Sequence, residues 1–179
     1  MIELLNLQDF DPMYAIMEMS FPEDEYRGYE GQKQLFENPE YKVFIHRNEE
    51  TKEIDGFLSA WDFEDVLYFE HFAVSSKARN GGIGGKMLRE ILARANKLTC
   101  LEVELPEGEI EKRRIGFYER NGFCFNEYPY IQPSIAPGKD PIPLRIMTYQ
   151  RTITEAEYQK IKNLLYRRVY HVPEQQMKY

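Results

Sequence analysis

The run Phe72-Ala73-Val74-Ser75-Ser76-Lys77-Ala78-Arg79-Asn80-Gly81-Gly82-Ile83-Gly84-Gly85-Lys86-Met87-Leu88 restricts this chain more than any other stretch. It reads as an apolar strand, a glycine loop and an amphipathic helix in succession. Four of the five positions from Gly81 to Gly85 are glycine. Backbone N–H groups with no Cβ beside them can crowd around an anion. The helix that follows adds free N–H groups and the positive end of its dipole. Such a segment predicts a phosphate cradle made of backbone.

Spacing separates the loops of this kind. A nucleotide triphosphatase loop needs G-x-x-x-x-G-K-[ST], but Gly85-Lys86 is followed by Met87 and its first glycine would fall on Asn80. A dinucleotide loop needs G-x-G-x-x-G, and the third glycine after Gly82 and Gly84 would fall on Met87. The pattern R-x-x-G-x-G is met by Arg79, Gly82 and Gly84. Here the chain resembles the GCN5-related N-acetyltransferase (GNAT) family, which holds the pyrophosphate of acetyl-coenzyme A on such a loop. A second signature, Ile115-Gly116-Phe117-Tyr118-Glu119-Arg120-Asn121-Gly122-Phe123, resembles the family's helix ending in F-Y-x-x-x-G-F. One departure stands out: the family often carries Asn and Ala six and three residues before the aromatic, where this chain has Glu111 and Arg114.

Composition narrows the remaining classes. The chain has 179 residues, 42% hydrophobic and 30% charged, which suits one domain with a single core. Its formal net charge is -7 and no basic stripe interrupts it, which argues against a nucleic-acid partner. Cys100 and Cys124 stand apart without a C-x-x-C pair, so neither a metal site nor a disulfide framework is expected. There is no basic, apolar leader and no apolar run long enough for a membrane span, so a cytoplasmic protein without a membrane partner is expected.

Periodicity predicts strands over 2–7, 41–47, 54–61 and 66–74, the last three as an antiparallel meander. Asp11-Pro12 reads as a helix start, and a short helix is expected over 32–37. After the glycine loop, Met87, Leu88, Ile91, Leu92 and Ala95 form one apolar helical face. A strand over 100–105 then follows a crossover helix and should lie parallel to 66–74. A helix over 109–120 ends at Asn121-Gly122, and 123–131 with 144–151 read as a final strand pair. A last helix over 154–170 opens on the capping box Thr154 and Glu157. The expected fold class is α/β (α+β): a GNAT-like mixed, mainly antiparallel sheet with one parallel strand pair, helices on both faces and an extra C-terminal helix. The resemblance covers 1–151, leaving 152–179 as a helical extension packed on the same domain, with a monomer or homodimer as the assembled form.

The resemblance also implies site residues. Phe72, Ala73 and Val74 would pair through their backbone with the pantetheine arm, and Arg79, Asn80, Gly81, Gly82, Ile83, Gly84 and Gly85 would hold the pyrophosphate. Phe117 and Tyr118 would bind the cofactor, with Tyr118 near its sulfur and its phenol as the acid for the leaving thiolate. Phe21, Tyr26, Tyr29 and Tyr130 would line the acceptor side. From the residues themselves, Glu70 is the candidate base. It interrupts the apolar-aromatic strand Leu67-Tyr68-Phe69-Glu70-His71-Phe72, and burial would raise its pKa toward the useful range. The other reading of Glu70 is a solvent-facing strand glutamate paired with a neighbouring Lys or Arg. His71, facing the opposite way in a regular strand, is the second candidate base. Glu23, Asp24 and Glu25 read as a solvated charge run rather than a cation site. The reaction expected is acetyl transfer from acetyl-CoA to a primary amine of a small molecule or peptide. The alternative is a non-catalytic acyl-CoA-binding or sensing module.

Overall fold

The computed structural model describes residues 1–79 and 81–173. The chain divides into two compact units, Met1–Thr99 and Cys100–Tyr179. The first begins with a short strand, β1 (Ile2–Leu4), and helix α1 (Phe10–Ser20). The strand is shorter than the expected 2–7 because Asn6 accepts the Gln8 N–H and starts a single helical turn over Leu7–Asp9. For the same reason α1 starts at Phe10 rather than at Asp11-Pro12. Helix α2 spans Tyr29–Gln34 and runs into a tighter turn over Leu35–Glu37.

The meander appears as expected. Strands β2 (Tyr41–Arg47), β3 (Ile54–Asp62) and β4 (Val66–Val74) pair antiparallel in sequence, with β1 on β2. Strand β3 is buried at every position from Ile54 to Trp61, so apolar residues occupy both of its faces. Gly56 is needed there, since a Cβ would come within 2.8 Å of the Ala73 carbonyl on β4. Helix α1 packs on β3 and β4 and supplies Phe10, Met13 and Met17 to the core. Helix α3 (Ile83–Leu92) packs on β4 and buries Met87, Leu88, Ile91 and Leu92. Ala95, expected on that face, falls beyond its last turn and is half-buried.

Two residues of the meander fall outside the regular ladder. Between β2 and β3 the register shifts at His46 and Arg47, which pair with Gly56 and Ile54 and leave Asp55 as an extra residue. Between β3 and β4, Ser59 pairs with His71 and Ala60 with Phe69, which leaves Glu70 as the extra residue. Both are β-bulges, each with a carboxylate at the inserted position and a histidine in reach.

In the second unit, strand β5 (Leu98–Glu104) leads from the first unit into helix α4 (Glu109–Arg120). The helix has the expected bounds, and Gly122 stops it at φ 90°. The segment 123–131 is not one strand. It splits into β6 (Phe123–Phe125) and β7 (Tyr130–Gln132), which pair with different ends of β8 (Ile142–Tyr149). Asn126 makes the break. Its Nδ2 donates to the Ile146 carbonyl and the Thr148 hydroxyl, both at 3.0 Å, and its Oδ1 accepts the Ile153 N–H at 3.0 Å. A side chain that bonds both ways to backbone replaces ladder pairing at that point. Strand β5 pairs antiparallel with β8 from Cys100 to Glu104. Helix α5 (Glu155–Arg168) carries the expected capping box of Thr154 and Glu157. Tyr158, Ile161, Leu165 and Val169 are buried, Leu164 is half-buried, and Tyr158 donates to the Pro129 carbonyl at 2.6 Å. Among the described residues no helix is long and apolar enough to cross a membrane.

Candidate active site

The glycine loop begins where β4 ends. The Ser75 N–H donates to the Asp55 carbonyl at 2.7 Å, and Ser76–Ala78 make one helical turn. Arg79 folds back, its Nε donating to the Val74 carbonyl at 3.2 Å. Asn80 lies outside the described residues. Gly82 is the N-cap of α3 at φ 72°, a conformation that disfavours any Cβ, and nothing stands within 4 Å of where one would project. The first helical bond of α3 runs from the Lys86 N–H to the Gly82 carbonyl at 3.1 Å. The N–H groups of Ile83, Gly84 and Gly85 precede it and have no helical acceptor. The loop therefore presents open space, no Cβ at Gly81 or Gly82, and three successive donors at the positive end of a helix. These features fit a diphosphate.

Just upstream, the bulge in β4 gathers a buried polar cluster. Glu70 does not face solvent, and it does not stand alone. Its side chain is 2% exposed, and its Oε1 accepts from Arg27 Nη1 at 2.8 Å. The expected rise of its pKa is overturned. Burial does push it up, but the Arg27 charge and His71 outweigh burial and bring it down to about 2. Nor does His71 face the opposite way. The inserted residue breaks the alternation, and His71 Nδ1 lies 3.6 Å from Glu70 Oε2. Its Nε2 sits 2.8 Å from the Glu25 carbonyl, which can only accept, so Nε2 carries a proton there. The His71 backbone N–H donates to Ser59 Oγ at 3.0 Å, and the Phe21 ring meets the imidazole edge-on at 5.1 Å. Tyr41 closes the cluster. It accepts from Gln32 Nε2 at 2.6 Å, and burial followed by the Glu70 charge pushes its phenol far above the ordinary range.

Arg27 is the residue that the sequence reading missed. It sits in the polar run Glu23-Asp24-Glu25-Tyr26-Arg27, where Glu23 and Asp24 are indeed exposed. The signal lay elsewhere in the chain: a carboxylate within an apolar strand calls for a cation, and Arg27 is the lone cation of that run.

The aromatic residues expected on the acceptor side belong to both units. Phe21, Tyr26 and Tyr29 belong to the first unit; Tyr26 and Tyr29 both stack edge-on against Tyr14, and the Tyr29 hydroxyl donates to Asp11 Oδ1 at 2.6 Å. Tyr130 belongs to β7 and is 1% exposed, packed against Tyr166 with centroids 5.9 Å apart. It is a core residue of the second unit, because β7 turns its ring inward toward α5. Tyr118 lies in the last turn of α4, half-buried between the Phe117 and Phe123 rings at 5.3 and 5.8 Å. Burial pushes its phenol up to about 12; the nearby Arg114 charge pulls down and Glu104 pushes up. Arg114 and Glu104 pair with each other through Nη1 and Oε2.

Comparison with known proteins bears on the family that the two motifs resemble. The model of the acetyltransferase (GNAT) family matches residues 7–123. A protein of Bacteroides thetaiotaomicron assigned to that family is 32% identical, with a TM-score of 0.88 over 97% of this chain and 99% of its own. An aminoglycoside 6'-N-acetyltransferase solved with coenzyme A is 18% identical, with a TM-score of 0.62 over 87% of this chain and 99% of its own. A variant spermidine N-acetyltransferase of Vibrio cholerae is 13% identical, with a TM-score of 0.62 over 83% and 94%. No curated protein sequence matches the chain. The fold class is accordingly the expected one, a mixed and mainly antiparallel α/β sheet with one parallel strand pair. With one family model spanning most of its length and a family member matched end to end, the chain belongs to the GNAT family of acetyltransferases.

Proposed function

We propose that this protein is an acetyl-CoA-dependent N-acetyltransferase that acts on a primary amine by direct transfer. The observation that carries this reading is the cradle: Gly82 at φ 72° with open space around it, followed by the N–H groups of Ile83, Gly84 and Gly85, which have no acceptor within the helix. When bound, acetyl-CoA supplies the acetyl group as a thioester. Gly81, Gly82, Ile83, Gly84 and Gly85 hold its diphosphate through backbone N–H, with Arg79 and Asn80 at the same loop. Phe72, Ala73 and Val74 offer the backbone edge for its pantetheine arm, and Phe117 packs beside Tyr118.

Tyr118 is the acid. With a phenol at about 12 it keeps its proton throughout the neutral range and has it to give to a departing thiolate. Glu70 is not the base. A carboxylate at about 2 and already paired with Arg27 has little affinity for the proton of an alkylammonium. We assign the proton's departure to solvent before attack. The amine nitrogen then forms the new bond to the acetyl carbon, the carbon–sulfur bond breaks, the Tyr118 proton goes to sulfur, and the proton that the new amide nitrogen sheds goes to solvent, from which the Tyr118 phenolate is reprotonated. Phe21, Tyr26 and Tyr29 form the acceptor side.

The test has two stages. Thermal shift with acetyl-CoA, NAD and ATP in parallel examines the cradle, and only acetyl-CoA should stabilise the protein. Thiol release is then followed with spermidine, an aminoglycoside, a peptide with N-terminal alanine and free lysine. Turnover of one of them supports the enzyme. Tight acetyl-CoA binding with no turnover of any amine replaces it with an acyl-CoA-binding module.

A further inference from the structure

The segment 21–28 joins α1 to α2 and carries two of the aromatic residues assigned to the acceptor side. Three of its residues reach the same point of β4. Arg27 extends its guanidinium to Glu70, the Glu25 carbonyl receives the His71 Nε2 proton, and the Phe21 ring rests on the His71 edge. A fourth contact ties it to α1, from the Tyr14 hydroxyl to the Arg27 carbonyl at 3.3 Å. The segment has one short helical turn over Glu23–Glu25 without a side-chain cap, and Glu23, Asp24 and Gly28 are exposed.

We propose that Arg27 is a positioning residue for the acceptor amine: its ion pair with the bulge carboxylate of Glu70 latches the 21–28 segment onto β4 and fixes the wall that Phe21 and Tyr26 present to the amine. The proposal rests on the acetyl-transfer reading for its kinetic consequence only. The geometry favours a latch over a chemical role for the cluster. Both His71 nitrogens are engaged, one with the Glu25 carbonyl and the other beside Glu70 Oε2 and Ser59 Oγ. Arg27 and Glu70 have side-chain exposures of 9% and 2%, too deep to serve a solvent-borne proton. Two opposite charges this far from water hold one geometry strongly, because separating them leaves each unpaired in a poor solvent. An arginine also presents a planar fork that fixes direction as well as distance.

The experiment compares wild type with Arg27→Met, Arg27→Lys and the double variant Arg27→Met/Glu70→Leu, which leaves no buried charge and folds even if the single variant does not. Amide hydrogen exchange is read with acetyl-CoA bound, segment by segment. Exchange in 21–28 should rise by about tenfold or more in Arg27→Met and in the double variant, while β2 and β3 keep wild-type protection. For whichever amine of the panel is turned over, KM should rise about tenfold or more, with kcat and acetyl-CoA affinity changed less than about threefold. Arg27→Lys should recover part of both effects. Wild-type protection of 21–28 in the double variant overturns the latch, and so does a fall in kcat with KM unchanged. If no amine is turned over, the enzyme reading fails by itself and the exchange data still decide the latch.

Discussion

Arg27 Nη1 and Glu70 Oε1 stand 2.8 Å apart, between a surface loop and the inserted residue of a bulged strand. The pair gives the protein a defined response to acid. Glu70 is held at about 2 in the folded state against an ordinary value of 4.5. The unfolded chain therefore binds its proton first, and the stability contributed by Glu70 is present above pH 4.5 and lost as the pH falls toward 2. The difference amounts to on the order of 3 kcal/mol. Denaturation measured against pH should show Glu70→Gln less stable than wild type at pH 7, with the gap closing between pH 5 and pH 2. A gap independent of pH would contradict the assignment.

The charge states also set the pH dependence of catalysis. Glu70 titrates near 2 and Tyr118 near 12, so neither changes its charge between pH 5 and pH 9. A primary amine with a pKa of about 10 is then the group that changes, and kcat/KM should climb about tenfold per pH unit from pH 6 to pH 9. Steady-state rates at saturating acetyl-CoA check this. A plateau beginning near neutrality would reveal a proton acceptor on the protein.

Tyr118→Phe removes the proposed acid and keeps the ring between Phe117 and Phe123. The kcat should fall by about a hundredfold or more, with little change in acetyl-CoA affinity. A wild-type kcat would show that the thiolate leaves without help from this phenol.

Gly82→Asp should abolish acetyl-CoA binding. Any Cβ at φ 72° costs about 1–2 kcal/mol of backbone strain, and the added carboxylate repels a diphosphate. Saturating wild type at about a hundredfold over Kd adds about 2.7 kcal/mol, seen as a rise in Tm. The variant should show no rise.

Asn126→Ala probes the second unit. It removes the bonds to Ile146, Thr148 and Ile153 and leaves the buried Ile153 N–H without its acceptor. A loss of about 2–3 kcal/mol in urea denaturation is expected. A loss below about 0.5 kcal/mol, the range of ordinary surface substitutions, would mean that the β6–β7 corner is held by backbone alone.

What the sequence made legible follows from the period of its signals. Strands 41–47 and 66–74 and helix 109–120 were readable to the residue, because each is bounded by turn residues. The glycine loop and the helix after it were readable because an apolar strand precedes the glycines and an amphipathic pattern follows them. Three features were not. Glu70 and His71 share one side because a bulge inserts a residue, and an alternating pattern with aromatic residues on both faces carries no mark of the insertion. The split at Asn126 depends on three partners at 146, 148 and 153, distant in sequence. Arg27 lies in a run of carboxylates, and its partner on β4 distinguishes it.

The extra residue at position 70 makes β4 one strand by hydrogen bonding and two by reading frame. Val66–Phe69 are in step with one parity of β3, and His71–Val74 with the other. Side chains at 70 can be exchanged without disturbing that count, at whatever cost in charge. Deleting the residue is a different event. The two frames would merge into one regular ladder in which Phe72, Ala73 and Val74 keep their partners Leu58, Phe57 and Gly56, while β4 loses the bend at the bulge and the carboxylate that holds Arg27. The bend of β4 ahead of the glycine loop is therefore a property of the strand's length, which no substitution at position 70 alters.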